Sequence, residues 1–151
     1  MKITPPLSFV LFAALCLAGC ASHGPGSSSH ASAQIPNATL AAIQDVSAVV
    51  FIEKGYTVRL KQPDMMVFDR PGSRNDALKW GGWDGSGVTM RVKMAIRDMG
   101  TGTSFLLQAD AYAVRDASDP FFASENRNMM LNHRPYQKLL NEVQKRLKTK
   151  T

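Results

Sequence analysis

The clearest pattern along the chain is a two-residue alternation. Val88, Met90, Val92, Met94 and Ile96 interleave with Thr89, Arg91, Lys93, Ala95 and Arg97. Beyond a turn at 98–102, Phe105, Leu107, Ala109, Ala111 and Ala113 interleave with Leu106, Gln108, Asp110, Tyr112 and Val114. Such alternation marks strands with one buried face, and the glycines between the two runs predict an antiparallel hairpin. Setting Ile96 opposite Phe105 and Met94 opposite Leu107 also sets Arg91 opposite Asp110. That places an exposed, register-setting ion pair worth less than about 1 kcal/mol on the polar face. A shorter alternation, Tyr56, Val58 and Leu60 against Thr57, Arg59 and Lys61, leads through the turn Gln62-Pro63-Asp64 into Met65 and its neighbours. It predicts a second hairpin.

Helical spacing flanks these strands. Leu40, Ile43, Val46, Val50 and Phe51 share one stripe of a helix predicted over 38–54, with Asn37 as its N-cap. Gly55 fits the left-handed position after the last turn, which would bring Tyr56 against Phe51. Tyr136, Leu139, Leu140, Val143 and Leu147 form a second apolar stripe over 135–148. The expected fold class is α+β: a single domain with a four-stranded antiparallel sheet, an N-terminal and a C-terminal helix, in the order α-β-β-β-β-α. Alanines opposite the methionines of the main hairpin leave room for a helix to pack close.

The N-terminus carries a different signal. After Lys2, residues 7–18 are apolar except for Ser8, which is signal-peptide length and too short to span a bilayer. The run ends in Leu17-Ala18-Gly19-Cys20, which resembles the lipobox of bacterial lipoproteins. The resemblance implies cleavage before Cys20, a diacylglyceryl group on its thiol and a further acyl chain on its new amino group. It also implies localisation to the cell envelope. Ala21, where inner-membrane lipoproteins often carry Asp, points to the outer membrane, facing the periplasm. Two or three acyl chains make attachment stable where one alone is marginal. The predicted organisation is a signal peptide over 1–19, the lipidated Cys20 with a flexible tether to residue 36, and a folded domain over 37–151. The tether follows from a composition rich in Ser, Ala, Gly and His, and its His23 and His30 read as solvated.

Composition narrows the chemistry. The two cysteines are Cys16, in the removed segment, and Cys20, so the folded part has neither a disulfide nor a thiolate nucleophile. The formal charge of +6 rests largely on Lys145, Arg146, Lys148 and Lys150. These cations complement the negative pole of the last helix, with anionic lipid head groups or cell-wall polymers as the sharper alternative. Charge confined to one helix end in an exported protein gives no reason to expect nucleic acid. His133 is the sole histidine of the predicted domain, so no zinc site or Ser-His-Asp arrangement is expected. Asp116, Asp119 and Glu125 lack the alternate spacing and central glycine of a calcium loop. The glycines at 81–87 lack the Lys-Ser/Thr of a phosphate loop. Met90 and Met94 read as core filler rather than copper ligands. No metal, no cofactor and no catalytic residue is expected.

Two long loops remain, 70–86 and 116–134, at 17 and 19 residues. They carry Trp80 and Trp83, and Phe121 and Phe122. These four are the candidate partner-binding residues, because exposed aromatics dominate interfaces. The alternative is that each loop folds back over the sheet, with a short helix over 75–80. The element order, with Gly55-Tyr56-Thr57-Val58 entering the first strand, also resembles small uncharacterised bacterial lipoproteins of the helix-grip type. That resemblance implies an envelope assembly subunit or a lipid holder and transfers no catalytic residue. The expected function is a non-catalytic, lipid-anchored interaction or assembly module. Its expected partner is an envelope protein, with a lipid or cell-wall saccharide as other contacts. The alternative is a carrier or sensor holding a lipid or other apolar ligand between the sheet and the C-terminal helix.

Overall fold

The computed structural model describes residues 30–80, 87–115, 117, 124–127 and 133–150. Their elements run β1 (Ala31–Ile35), α1 (Leu40–Glu53), β2 (Thr57–Lys61), β3 (Met65–Pro71), α2 (Arg74–Trp80), β4 (Val88–Asp98), β5 (Phe105–Arg115), β6 (Ser124–Arg127) and α3 (Arg134–Lys150). The sheet is antiparallel throughout, in the order β1-β5-β4-β3-β2, with β6 paired to β5 as well. The fold is α+β as the pattern predicts. Among the described residues it has six strands rather than four and three helices rather than two.

One added strand lies where composition reads as tether. Ala31, Ala33 and Ile35 of β1 are buried, while Ser32 and Gln34 are exposed. The strand pairs from Ile35↔Phe105 to Ala31↔Ala109. Its outer edge would present bare peptide groups. Instead, Gln137 of α3 donates through Nε2 to Ser32 O at 2.8 Å and accepts from Ser32 N at 3.2 Å. Gln144 Nε2 donates to Gln34 O at 2.6 Å. Side-chain amides of the last helix thus close the sheet edge.

Thr39, not Asn37, caps α1. Thr39 has extended backbone angles and its Oγ1 accepts from Ala42 N at 3.2 Å. Asn37 instead takes φ 55°, a left-handed angle that Asn tolerates better than most residues, and turns the chain out of β1. At the other end the expected stop is present. Gly55 has φ 81°, Tyr56 N donates to Phe51 O at 3.1 Å and Gly55 N donates to Ile52 O at 2.9 Å. The Phe51 and Tyr56 rings meet edge-on at 5.4 Å.

The β4–β5 hairpin keeps its expected faces with a different register. Met94 is opposite Ala109 and Ile96 opposite Leu107, two positions further along β5 than the pattern suggests. Arg91 therefore faces Tyr112, and Asp110 faces Lys93. The turn sets the shift: Met99 N donates to Ser104 O at 2.8 Å, and Asp98 Oδ1 accepts from Gly100 N and Gly102 N at 2.9 and 3.1 Å.

One face of the sheet, with α1 and α3 upon it, holds the core. Phe51 stacks on Phe68 with centroids 4.0 Å apart, amid fully buried Met66, Met94, Leu107 and Leu140. Tyr136, Leu139, Leu140, Val143 and Leu147 are all buried, as the stripe predicts. They share one cluster with Ala109 and Ala111. No helix among the described residues is long and apolar enough to cross a membrane.

Candidate functional site

Of the residues singled out from sequence for partner binding, only Trp80 lies among those described; Trp83, Phe121, Phe122 and the lipidation candidate Cys20 lie outside them. Trp80 ends α2, which opens on a reciprocal cap. Ser73 Oγ donates to Asp76 Oδ2 at 2.7 Å, and Asp76 N donates to Ser73 Oγ at 3.2 Å. The Trp80 ring is partly buried against Val88, Met90 and Ala113, and Arg115 Nε donates to its carbonyl. This end of the first long loop folds back over the sheet, so Trp80 is packed against the protein rather than presented to a partner.

The other candidates sort in the same way. Met90 and Met94 are 1% and 0% exposed, within the core. Glu125 binds Arg91 and Lys93, and Asp116 and Asp119 lie outside the described residues. His30 is not solvated: its side chain is 8% exposed, with Nδ1 3.4 Å from Asp110 Oδ1. His133 is exposed, and its carbonyl accepts from Gln137 N at the start of α3. Among the described residues no group of three or more His, Cys, Asp or Glu side chains could hold a metal ion.

On the sheet face opposite α1 and α3 runs an ionic ladder. Arg91, only 7% exposed, grips Asp69 with two bonds, Nε–Oδ1 at 2.8 Å and Nη2–Oδ2 at 2.9 Å. It also binds Glu125 of β6, which Lys93 binds in turn, while Lys93 lies 4.7 Å over the Tyr112 ring. The sequence reading of Arg91 as an exposed partner of Asp110 is thus corrected. Its neighbour across β3 is Asp69, at the directly opposed position. Hydrogen bonds donated to Asp69 hold the Arg91 guanidinium firmly charged despite burial. Burial opposes ionisation of Glu125, but bonds from Lys93 and Arg91 outweigh it and lower its pKa. A satisfied ladder of this kind fixes strand register and leaves no free group for chemistry.

The concave site lies on the helical side. A cleft of about 580 Å³ opens between the end of α1, β3 and α3, lined by Lys54, Tyr56, Arg70, Pro135, Lys138, Leu139, Glu142 and Arg146. Arg146 pins its walls together. Its Nη1 and Nη2 donate to both carboxylate oxygens of Glu53 at 2.9 and 2.7 Å, and its Nε donates to Glu142 at 2.8 Å. These bonds lower the pKa of both glutamates. The guanidinium of Arg70 lies 5.2 Å from the Tyr56 ring centroid, and its Nε is buried with no hydrogen-bond partner among the described residues. Burial raises the pKa of Tyr56 and pushes that of Tyr136 up to about 12, so both phenols are neutral near pH 7. Lys54, Arg70 and Lys138 come from a helix end, a strand and a second helix. No periodic signal in the sequence links them. No protein-family model matches the chain, and neither a curated protein nor a solved structure shows significant similarity to it.

Proposed function

We propose that this chain is a lipid-anchored, non-catalytic binding module of the bacterial envelope that receives its partner or ligand in the cleft beside α3. The lipobox-like Leu17-Ala18-Gly19-Cys20 supports the anchor and the envelope address, and Ala21 favours the outer membrane. The observation that carries the binding site is the cleft itself. It is of ligand-pocket size, roughly 300–1,000 Å³, and mixes apolar Tyr56, Pro135 and Leu139 with cations. Holding an apolar ligand between sheet and helix has less support, because the side chains of α3 fill that space down to 0% exposure at Leu140 and Val143.

The test is capture in cells. A photoreactive residue in place of exposed Pro135 should cross-link one envelope component, and the adduct should vanish when Cys20→Ala removes the anchor. The same residue placed at Arg97, at the far end of β4, should capture nothing. An absent adduct at 135, or equal capture at 97, defeats the proposal.

A further inference from the structure

We infer that the cleft is an oxyanion site, taking a phosphate or carboxylate group borne by a partly apolar molecule. The inference rests on the binding-module reading above and names the chemistry of what that module holds.

Lys54, Arg70, Lys138 and Arg146 line the cleft against one carboxylate, Glu142. Arg146 is fully engaged by Glu142 and by Glu53 just outside. The other nearby acid, Asp76, accepts from Ser73 N and Oγ at 2.8 and 2.7 Å. Among the described residues, Lys54, Arg70 and Lys138 therefore meet in one concavity with no carboxylate in ion-pair contact. Cations outnumber carboxylates on the cleft wall, and an anion entering it is attracted by each of them.

Arg70 supplies the geometry. Its guanidinium is held over the Tyr56 face, and its Nε, a buried donor with no partner, has a bond left to make. The planar fork of arginine matches phosphate and carboxylate oxygens better than it matches a neutral acceptor. The neutral phenols of Tyr56 and Tyr136 bring no competing negative charge. The cleft is also far larger than a bare oxyanion, and its remaining wall is Pro135, Leu139 and the Tyr56 ring. The occupant therefore carries an apolar portion beside its charge.

The test uses the full-length protein in phosphatidylcholine nanodiscs, read by NMR at the Arg70 Nε–H and the Leu139 methyls. Inorganic phosphate or acetate should move both sets of signals. Arg70→Gln should weaken binding at least about tenfold, since losing one partner of a buried charged hydrogen bond costs more than that, and the exposed Lys138→Gln should weaken it by a smaller factor. Arg97→Gln, an equal loss of charge elsewhere, should leave affinity unchanged. Discs doped with phosphatidylglycerol separate the sources. Saturated signals without added phosphate identify a lipid head group, and unchanged signals that still respond to phosphate identify a water-soluble ligand. Silence at the cleft with every probe, or equal weakening by Arg97→Gln, overturns the inference. Capture of a neutral component at Pro135 would defeat the oxyanion and leave the binding module standing. Anion binding in discs with no capture in cells would do the reverse.

Discussion

Ser47 lies on the buried side of α1, fully buried, and its Oγ has no hydrogen-bond partner among the described residues. A hydroxyl removed from water without a replacement bond costs about 1–3 kcal/mol, and serine is a poorer helix former than alanine. Alanine has nearly the same volume, so replacement leaves no cavity. Ser47→Ala should therefore stabilise the fold by about 1 kcal/mol, seen as a higher urea midpoint with an unchanged slope. A lower midpoint would mean that the hydroxyl makes a bond in solution. Arg70 shows the same kind of unmet donor in a different setting. Ser47 is fully buried on the helix that also buries Ile43, Val46, Val50 and Phe51. The Arg70 Nε is equally covered, but the residue is only half-buried and lines the cleft. The contrast separates a packing defect from a candidate site.

The ladder from Asp69 through Arg91 and Glu125 to Lys93 ties β3, β4 and β6 together. Its stability has a pH signature. The Glu125 carboxyl titrates below its ordinary 4.5 when folded. Its contribution is therefore complete above that value and is lost as pH falls through the lower, folded one. Melting temperature should hold steady above about pH 5 and drop on the acid side. Glu125→Gln should lower the neutral-pH plateau and shallow the acid slope, and an unchanged slope would remove Glu125 from the ladder. The same strands show what sequence can and cannot specify. Alternation assigned residues 88–97 and 105–114 to their two faces, because the pleat makes that a property of one strand alone, but it did not foresee the burial of Arg91 and Val114 on the polar face. Register depends on where the turn closes. Hydrogen bonds from Gly100 and Gly102 to Asp98 moved it by two, a shift that leaves both faces intact. Strand β1 alternates as well, but Ala31 and Ala33 bury little surface and resemble tether composition. The cleft was illegible for a further reason, since Lys54, Arg70 and Lys138 meet only after three elements have packed.

Across the whole molecule the two sheet faces divide the labour. On the ladder face Arg59, Arg91 and Lys93 pair with Asp69 and Glu125, while Lys54, Arg70, Lys138 and Arg146 line the cleft on the other. Basic charge is thus more than a helix-end feature: Arg146, read from sequence as part of a basic tail, clamps α1 to α3. The start of β1 at Ala31 also shortens the tether. Ten residues separate Cys20 from Ala31, and at no more than about 3.6 Å each they reach about 35 Å. That is comparable to the diameter of a domain this size, whose radius of gyration is about 13–14 Å. An acylated Cys20 would therefore keep Ala31, where the fold begins, within about one domain width of the lipid surface. Each buried methylene contributes about 0.8 kcal/mol, so a second and third acyl chain turn marginal attachment into durable attachment. Grown with labelled palmitate, cells should incorporate the label into this protein and retain it through an alkaline carbonate wash. Cys20→Ala should abolish both label and retention. Label surviving in the variant would place the acyl chains elsewhere, and with them the constraint that holds the start of the fold near the membrane.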